Sequence, residues 1–237
     1  SRWNIGGAIG YSTSDLEFDT LRDSADIDTF QFAGYGAYTG KNFYADVQIG
    51  FGFLDIATTR LIDVTLNPPV VASASYDANA FGVRTEAGVI YDTGRIDFTP
   101  FLGLAYASTS TDGFVESGAG AFDLLVAESD ADSLTTTLGL RLSGAWQAGG
   151  VRLVPVAEIA WRHEFLDDDQ NFSAAFLEDP ATQFQIVSAE QARDTIIANL
   201  GLGAQVTKSL VVFLDYNGQF SSSLNTHAAS AGLRATW

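Results

Sequence analysis

Apolar and polar residues alternate one by one along most of this chain. In the stretch NFYADVQIGFGF, residues 42–53, Phe43, Val47 and Ile49 fall on one parity, and Asp46 and Gln48 fall on the other. A period of two places successive side chains on opposite faces of a β-strand. The pattern therefore predicts strands that each have one apolar and one polar face.

The alternation recurs in about ten segments, each close to the roughly 9–11 residues that a β-strand needs to cross a bilayer. The predicted strands cover residues 2–11, 29–38, 42–53, 81–91, 95–106, 133–146, 151–165, 194–206, 209–220 and 227–237. The facing of 29–38 stays open, because aromatic residues occupy both parities. The sequence contains no run of about 18 apolar residues, so a membrane-spanning helix is not predicted.

The connections between these segments alternate in length. Short turns are predicted at 39–42, 92–95, 147–150 and 206–209, and long polar connections at 13–28, 54–79, 109–133 and 166–193, before a last short connection at 221–225. Tight periplasmic turns and longer external loops are typical of an outer-membrane barrel, whereas a β-sandwich gives no reason for them. The predicted fold is an all-β, antiparallel, up-and-down transmembrane β-barrel.

Composition narrows the function classes. The chain is 46% hydrophobic with a net charge of −17 and no cysteine. Disorder requires low hydrophobicity together with high charge, so it is not expected. An acidic surface argues against nucleic acid as a partner, and the absence of cysteine removes disulfides and thiolate metal sites.

Charged residues inside the alternating segments fall on the polar parity, which we expect to line a water-filled lumen. They are Asp46, Arg84, Glu86, Asp97, Arg141, Arg152, Glu158, Arg162, Glu164, Asp215 and Arg234. The reverse facing would place charges in lipid, where an Arg or Lys costs about 2–4 kcal/mol at mid-membrane. Two roles remain open for this set. The charges either contact a threaded polypeptide or pair with each other to stabilise a small barrel, since an unpaired buried charge is costly.

Aromatic residues cluster at both ends of the apolar faces and predict two interfacial belts. The belt at the short-turn end contains Trp3, Phe43, Tyr91, Trp146 and Trp237, and the other contains Tyr11, Phe53, Tyr106, Trp161 and Phe220. Counting strands from the short turns places Trp237 at the periplasmic interface.

No motif predicts catalysis, a cofactor or a metal. His163 and His227 lie in different predicted strands, and the acidic segment 19–28 lacks the glycine and terminal glutamate of a calcium loop. There is no G-x-S-x-G elbow, and Gly201 and Gly203 are strand glycines rather than a phosphate loop. We therefore expect neither an enzyme nor a cofactor.

The last eight residues, SAGLRATW, resemble the C-terminal signature of bacterial outer-membrane barrels. Ser230, Gly232 and Trp237 match this assembly signal, and Ala235 departs from it because a larger apolar residue is usual. More widely, GGAIGYSTSDLEF, FTPFLGLAYASTSTDGFVESGAG, DSLTTTLGLRLSG, VRLVPVAEIAWRHEF and FLDYNGQFS together resemble the autotransporter β-domain, the translocator of type V secretion. The resemblance extends over essentially the whole chain.

This resemblance implies a twelve-stranded barrel with a helix threading its pore and a secreted passenger upstream. Residues 1–237 would then be one domain holding the last ten strands, without the first hairpin and the linker helix. The implied location is the outer membrane of a Gram-negative bacterium. The implied partners are outer-membrane lipids and lipopolysaccharide, the barrel-assembly machinery, and the protein's own passenger and linker helix.

Other functions remain open beside this one. A structural or adhesive barrel would act through its acidic external loops, and a diffusion porin would use the pore itself. Some members of the family cleave their own passenger with acidic residues in the pore. Glu86 or Glu158 would be the candidates here, but no motif supports that activity.

Overall fold

The computed structural model describes residues 2–18, 22–63, 69–166, 171–187 and 192–235, and most of them lie in antiparallel strands. The strands are β1 (Arg2–Phe18), β2 (Asp23–Thr39), β3 (Phe43–Ile62), β4 (Val70–Val89), β5 (Tyr91–Asp92), β6 (Ile96–Thr111), β7 (Phe114–Val115), β8 (Leu124–Val126), β9 (Ser129–Gly144), β10 (Trp146–Ala148), β11 (Val151–Glu164), β12 (Asn171–Phe176), β13 (Asp179–Val187), β14 (Asp194–Gln205), β15 (Leu210–Ser221) and β16 (Asn225–Ala235). A 3-10 helix spans Gly120–Phe122. Among these residues no helix combines the length and the hydropathy that a membrane crossing would require.

Ten long strands form one curled sheet, which we call the wall. Their order is β1-β2-β3-β4-β6-β9-β11-β14-β15-β16, so each wall strand pairs with the wall strands before and after it in the chain. This order confirms the predicted antiparallel, up-and-down architecture. In the described residues β1 and β16 are the two edges of the wall.

Two prolines explain why β5 and β10 are separate short strands. Pro155 lies where the β9–β11 ladder is interrupted, and Pro100 lies where the β4–β6 ladder is interrupted. Proline has no N–H to donate to the neighbouring strand. The ladder resumes in the same register on the far side of each proline, so β5 continues β4 and β10 continues β9.

The predicted ends of several strands were wrong. Residues 13–28 and 54–79 were predicted as long polar connections, but β1 continues to Phe18, β2 starts at Asp23, β3 continues to Ile62 and β4 starts at Val70. The β3–β4 register is continuous over this whole length. Polar residues mark the height at which the wall leaves the membrane, and backbone pairing continues beyond that height into water.

A second, four-stranded sheet lies in the other two predicted connections. Its order is β13-β12-β8-β7, and it combines parts of 109–133 and 166–193. Leu124, Val126 and Ala174 form its small core, with Phe114 and Phe172 packed against them. The alternation of apolar and polar residues did not indicate this sheet.

The two faces of the wall differ sharply in exposure and polarity. Large apolar side chains such as Ile9, Leu138, Ile159 and Leu200 are exposed, whereas Glu86 is only 6% exposed. A water-soluble protein buries its apolar residues and exposes its charges. The opposite arrangement suits a wall whose outer face contacts lipid acyl chains.

Candidate functional site in the lumen of the barrel

Arg141 on β9 is the centre of a polar network on the inner face of the wall. Its Nε lies 2.7 Å from Oε2 of Glu158 on β11, and its Nη2 lies 3.1 Å from Oε1 of Glu86 on β4. Its Nη1 donates to the hydroxyl of Tyr44 on β3 over 3.1 Å. These partners are not all on adjacent strands. Side chains can meet across intervening strands only on the concave side, so the polar parity faces the lumen.

Glu86 and Glu158 extend the network to both sides of Arg141. Glu86 accepts hydrogen bonds from the Tyr44 hydroxyl over 2.6 Å and from Arg84 Nη2 over 2.8 Å. Glu158 accepts a bond of 2.9 Å from Nδ2 of Asn199 on β14. The result is a belt of polar side chains across the inner face. We call Tyr44, Arg84, Glu86, Arg141, Glu158, Asn199 and Asn217 the luminal belt.

Asn217 on β15 completes this belt by donating to Oδ1 of Asn199. Within the described residues, no buried side-chain nitrogen or oxygen lacks a hydrogen-bond partner. Buried charges are tolerated when they are paired and hydrogen-bonded in this way. The belt is therefore a fixed feature of the lumen rather than a set of freely moving charges.

Aromatic rings hold the belt in position. The Arg141 guanidinium carbon lies 4.9 Å from the centroid of the Phe101 ring and 5.7 Å from that of Tyr44. The Phe101 ring lies over Gly139 and the Tyr44 ring lies over Gly88, in the space that a Cβ would occupy. Glycine in a strand often marks such a close approach. Cation–π contact adds to the ion pairs of Arg141.

The structure places all the predicted luminal charges on the inner parity of their strands. Two of them make separate contacts towards the outer end of the lumen. Arg162 donates to Oε1 of Gln219 over 2.8 Å, and Glu164 accepts a 2.8 Å bond from the backbone N–H of Leu134 and a 2.5 Å bond from Ser133 Oγ. Both carboxylate oxygens of Glu164 are therefore occupied.

The remaining predicted luminal charges do not join the belt by hydrogen bonds. Asp46 is directly opposite Glu86 in the β3–β4 register. Among the residues that the structure describes, Asp97, Arg152, Asp215 and Arg234 make no side-chain hydrogen bond or ion pair on this face. The prediction from charge alone also missed Tyr44, Asn199, Asn217 and Gln219, although their parity places them on the polar face.

The outer face carries the predicted aromatic side chains. Trp3, Phe43, Tyr91 and Trp146 are exposed towards the short turns, and Trp161 and Phe220 are exposed at the opposite end. Tyr11, Phe53 and Tyr106 also lie on the outward parity at that opposite end.

Three rings at the opposite end hydrogen-bond to an aspartate of the next wall strand. The bonds run from Tyr11 to Asp28, from Tyr106 to Asp132 and from Trp161 to Asp194, each over 2.8 Å. Such rings suit a membrane interface, since one end is apolar and the other is hydrated.

The predicted assembly signal is described only in part. Ser230 and Gly232 lie on the inner parity of β16, where the ring of Phe213 covers Gly232. Trp237 lies outside the described residues.

The two histidines lie on the outward parity, apart from the lumen. His163 Nδ1 is 2.8 Å from Asp194 Oδ1, and His227 Nδ1 is 2.7 Å from the Tyr216 hydroxyl. No group of three or more metal-binding side chains occurs in the described part of the chain.

Two solved structures have a similar fold. The translocator domain of autotransporter NalP from Neisseria meningitidis superposes with a TM-score of 0.72 and 17% identity, covering 98% of this chain and 74% of that chain. The β-domain of the Bordetella autotransporter BrkA gives a TM-score of 0.67 and 18% identity, covering 99% of this chain and 84% of that chain.

Curated relatives are considerably longer than this chain. An extracellular serine protease of Serratia marcescens is 29% identical over 238 residues, which are 98% of this chain and 22% of the relative. Outer membrane protein B of Rickettsia rickettsii is 26% identical over 149 residues, which are 60% of this chain and 9% of the relative. The chain thus spans about a fifth or less of each of these relatives.

The family model of the autotransporter β-domain matches residues 1–217, which is most of the chain. This match agrees with the up-and-down wall, the outward apolar face and the polar lumen. The chain therefore belongs to the autotransporter β-domain family, the translocator barrels of the bacterial outer membrane.

Proposed function

We propose that this domain anchors a passenger polypeptide in the outer membrane and helps to deliver it through the polar lumen to the cell surface. The observation that carries this proposal is the inner face, which combines a fixed polar belt with charges of both signs that form no ion pair among the described residues. A wall of this kind presents hydrogen-bonding groups to a passing polypeptide. The domain would supply a path and leave bond-making to other parts of the protein.

The two roles considered for the luminal charges are divided between two sets of residues. The ion pairs of Arg141 with Glu86 and Glu158 stabilise the wall, because both carboxylates are largely buried. Asp215 and Arg234 are exposed on the inner face and have no such partners in the part of the chain that the structure describes. We assign contact with the passenger and its linker helix to this second set, together with Asp97 and Arg152.

Closure of the barrel requires more than the ten wall strands. The edges β1 and β16 do not pair with each other in the described residues, and an unpaired strand edge is not stable in lipid. We propose that residues 1–237 form the last ten strands of a twelve-stranded barrel, whose first hairpin pairs with both edges. A linker helix in the lumen would join this barrel to its passenger.

Assembly and anchoring would use the outer face and the last strand. Ser230, Gly232 and Trp237 form the proposed signal for the barrel-assembly machinery. The exposed rings of the two belts would lie among lipid headgroups, with lipopolysaccharide on the outer side. A purely adhesive or structural role of the external loops would leave the unpaired luminal charges without a function, so we favour delivery.

Exchanging Asp215→Arg and Arg234→Asp together tests the passage role, because the swap keeps the net charge and alters only the lumen. We expect passenger at the cell surface to fall several-fold while the amount of folded barrel is unchanged. Surface passenger can be measured by antibody labelling of intact cells, and folded barrel by its heat-modifiable mobility on gels.

The matched control exchanges Lys41→Asp and Asp63→Lys, two exposed positions outside the lumen. Delivery at the normal level in the luminal swap would contradict the passage role. An equal loss of folded barrel and of passenger would instead assign Asp215 and Arg234 to assembly, which also contradicts it.

A further inference from the structure

Residues 112–128, between β6 and β9, fold back over the inner face of the β3–β4 hairpin. The Phe114 ring stacks on Tyr76 with centroids 4.0 Å apart and planes 5° apart. Tyr76 shares its parity with Glu86 on β4, and the β3–β4 register has no shift between them. Phe114 therefore contacts the luminal side of the wall, above the membrane.

One ion pair connects this segment to the wall. Arg60 on β3 donates from Nε to Glu116 Oε1 over 3.0 Å and from Nη2 to Oε2 over 2.5 Å. Glu116 is 7% exposed and also accepts the backbone N–H of Leu124 over 2.9 Å. Arg60 reaches the carbonyl of Phe122 over 2.9 Å. Hydrogen bonding to Glu116 raises the pKa of Arg60, so the guanidinium stays charged.

Backbone and apolar contacts support the same closed arrangement. Ser73 on β4 and Ser117 exchange two backbone hydrogen bonds of 2.9 Å each. Ala119 packs with Ile62 and Ala72 of the hairpin in a small buried cluster. Both ends of the segment join strand ends that are neighbours, because Thr111 is opposite Ser129. The segment therefore leaves and re-enters the wall at one place.

The segment also pairs with the connection that follows β11. Its strand β8 pairs with β12, which follows wall strand β11 in the chain. The four-stranded sheet therefore leads from the inner side of β4 towards the end of β11 and passes the ends of β6 and β9. The sheet therefore joins the connection between β6 and β9 to the connection between β11 and β14, at the outer end of the wall.

We propose that residues 112–128 form a lid over the outer mouth of the lumen, latched by Arg60 and Glu116, which must open before a polypeptide can leave. The lid restricts access to the lumen from outside, whatever the lumen carries. Opening during export rests on the proposed function.

Access to the lumen can be measured with a reporter cysteine, because the chain has no cysteine of its own. Gln48→Cys places a thiol on the inner parity of β3, opposite Arg84. The probe is a maleimide-polyethylene glycol too large for porins, added to intact cells that express the full-length protein. We expect Glu116→Gln to increase the labelling rate several-fold over the reporter alone.

The matched control is Glu128→Gln, which removes the same charge at an exposed position at the base of the lid. It should label at the rate of the reporter alone. If Glu116→Gln prevents folding, Phe114→Ala loosens the lid through its ring contact and should give the same increase. Equal labelling rates for Glu116→Gln or Phe114→Ala and for Glu128→Gln would contradict the proposed lid.

A disulfide between Ser73→Cys and Ser117→Cys tests whether the lid opens during export. The two residues exchange backbone hydrogen bonds as an antiparallel pair. A Cα–Cα separation of about 5.5 Å is usual for such a pair and is within reach of a disulfide. We expect the oxidised variant to hold passenger at the outer membrane and the reduced variant to release it to the surface.

The control disulfide joins Thr109→Cys and Ala131→Cys, which pair in the wall below the lid. Normal delivery through the locked lid would overturn its opening during export. A failed proposed function is recognised separately, because the Asp215 and Arg234 swap would then have no effect either.

Discussion

Replacing Arg141 with methionine should lower the free energy of unfolding of the barrel by about 3–5 kcal/mol. The change removes the partner of two carboxylates, Glu86 and Glu158, whose side chains are 6% and 13% exposed. Each would then be a largely buried charge with incomplete pairing. The loss can be measured by urea unfolding in lipid vesicles, followed by the heat-modifiable mobility of the folded barrel.

Arg84→Met is the matched control for Arg141→Met. Arg84 also pairs with Glu86, over 2.8 Å, but its side chain is 55% exposed and, among the described residues, it forms no ion pair with another carboxylate. Water around this exposed guanidinium screens its charge, and Glu86 keeps Arg141 and Tyr44 as partners, so we expect the change to cost about 1 kcal/mol or less. Adding Glu86→Gln and Glu158→Gln to Arg141→Met should recover part of the loss. Equal destabilisation by the two arginine changes would contradict the central place of Arg141 in the belt.

Introducing arginine on the outer face of β3 should have the second large effect. Ile49→Arg places a charge in the apolar part of the membrane and should cost about 2–4 kcal/mol of folding free energy. Gln48→Arg, at the next position on the inner face, should cost little because its side chain enters the aqueous lumen. Both variants can be compared by the same unfolding measurement in vesicles.

Comparing Ile49→Arg with Gln48→Arg is informative because the two positions are adjacent in sequence and nearly equal in membrane depth. Their difference therefore isolates the facing of the strand. Destabilisation by Gln48→Arg that matched or exceeded that of Ile49→Arg would contradict a lipid-facing apolar parity.

Much of the wall could be predicted from the sequence because facing depends only on parity. Asp46, Arg84 and Glu158 all lie on the polar parity of their segments, and the structure places each of them on the inner face. The short turns could also be located, for example at Gly149 and Gly150, which both have positive φ. These features are local, so a single strand carries enough information to predict them.

The partners of the luminal charges could not be predicted in the same way. Arg141 and Tyr44 are 97 residues apart, and their contact depends on the register of every strand pair between them. Parity does not determine that register. Tyr44 and Asn199 were also missed because the prediction relied on formal charge, whereas neutral hydrogen-bonding groups complete the belt.

The external parts of the chain were difficult to predict for a different reason. Beyond the membrane a strand no longer has one face in lipid, so the alternation of apolar and polar residues that indicates a strand fades, as it does between Asp55 and Ile62. The lid segment contains short strands of two and three residues, β7 and β8. Such strands are stable only through contacts with distant parts of the chain, including the pair of Arg60 with Glu116.

A nitroxide scan along β3 tests the central claim most directly. Single cysteines at positions 44–53 would each carry a spin label in vesicles. The accessibility of each label to two relaxation agents would be compared, oxygen in the lipid and a water-soluble nickel complex. We expect high accessibility to oxygen at Ala45, Val47, Ile49 and Phe51, and high accessibility to the nickel complex at the positions between them. Nickel access at the odd positions, or no alternation at all, would contradict an apolar face in lipid around an aqueous lumen.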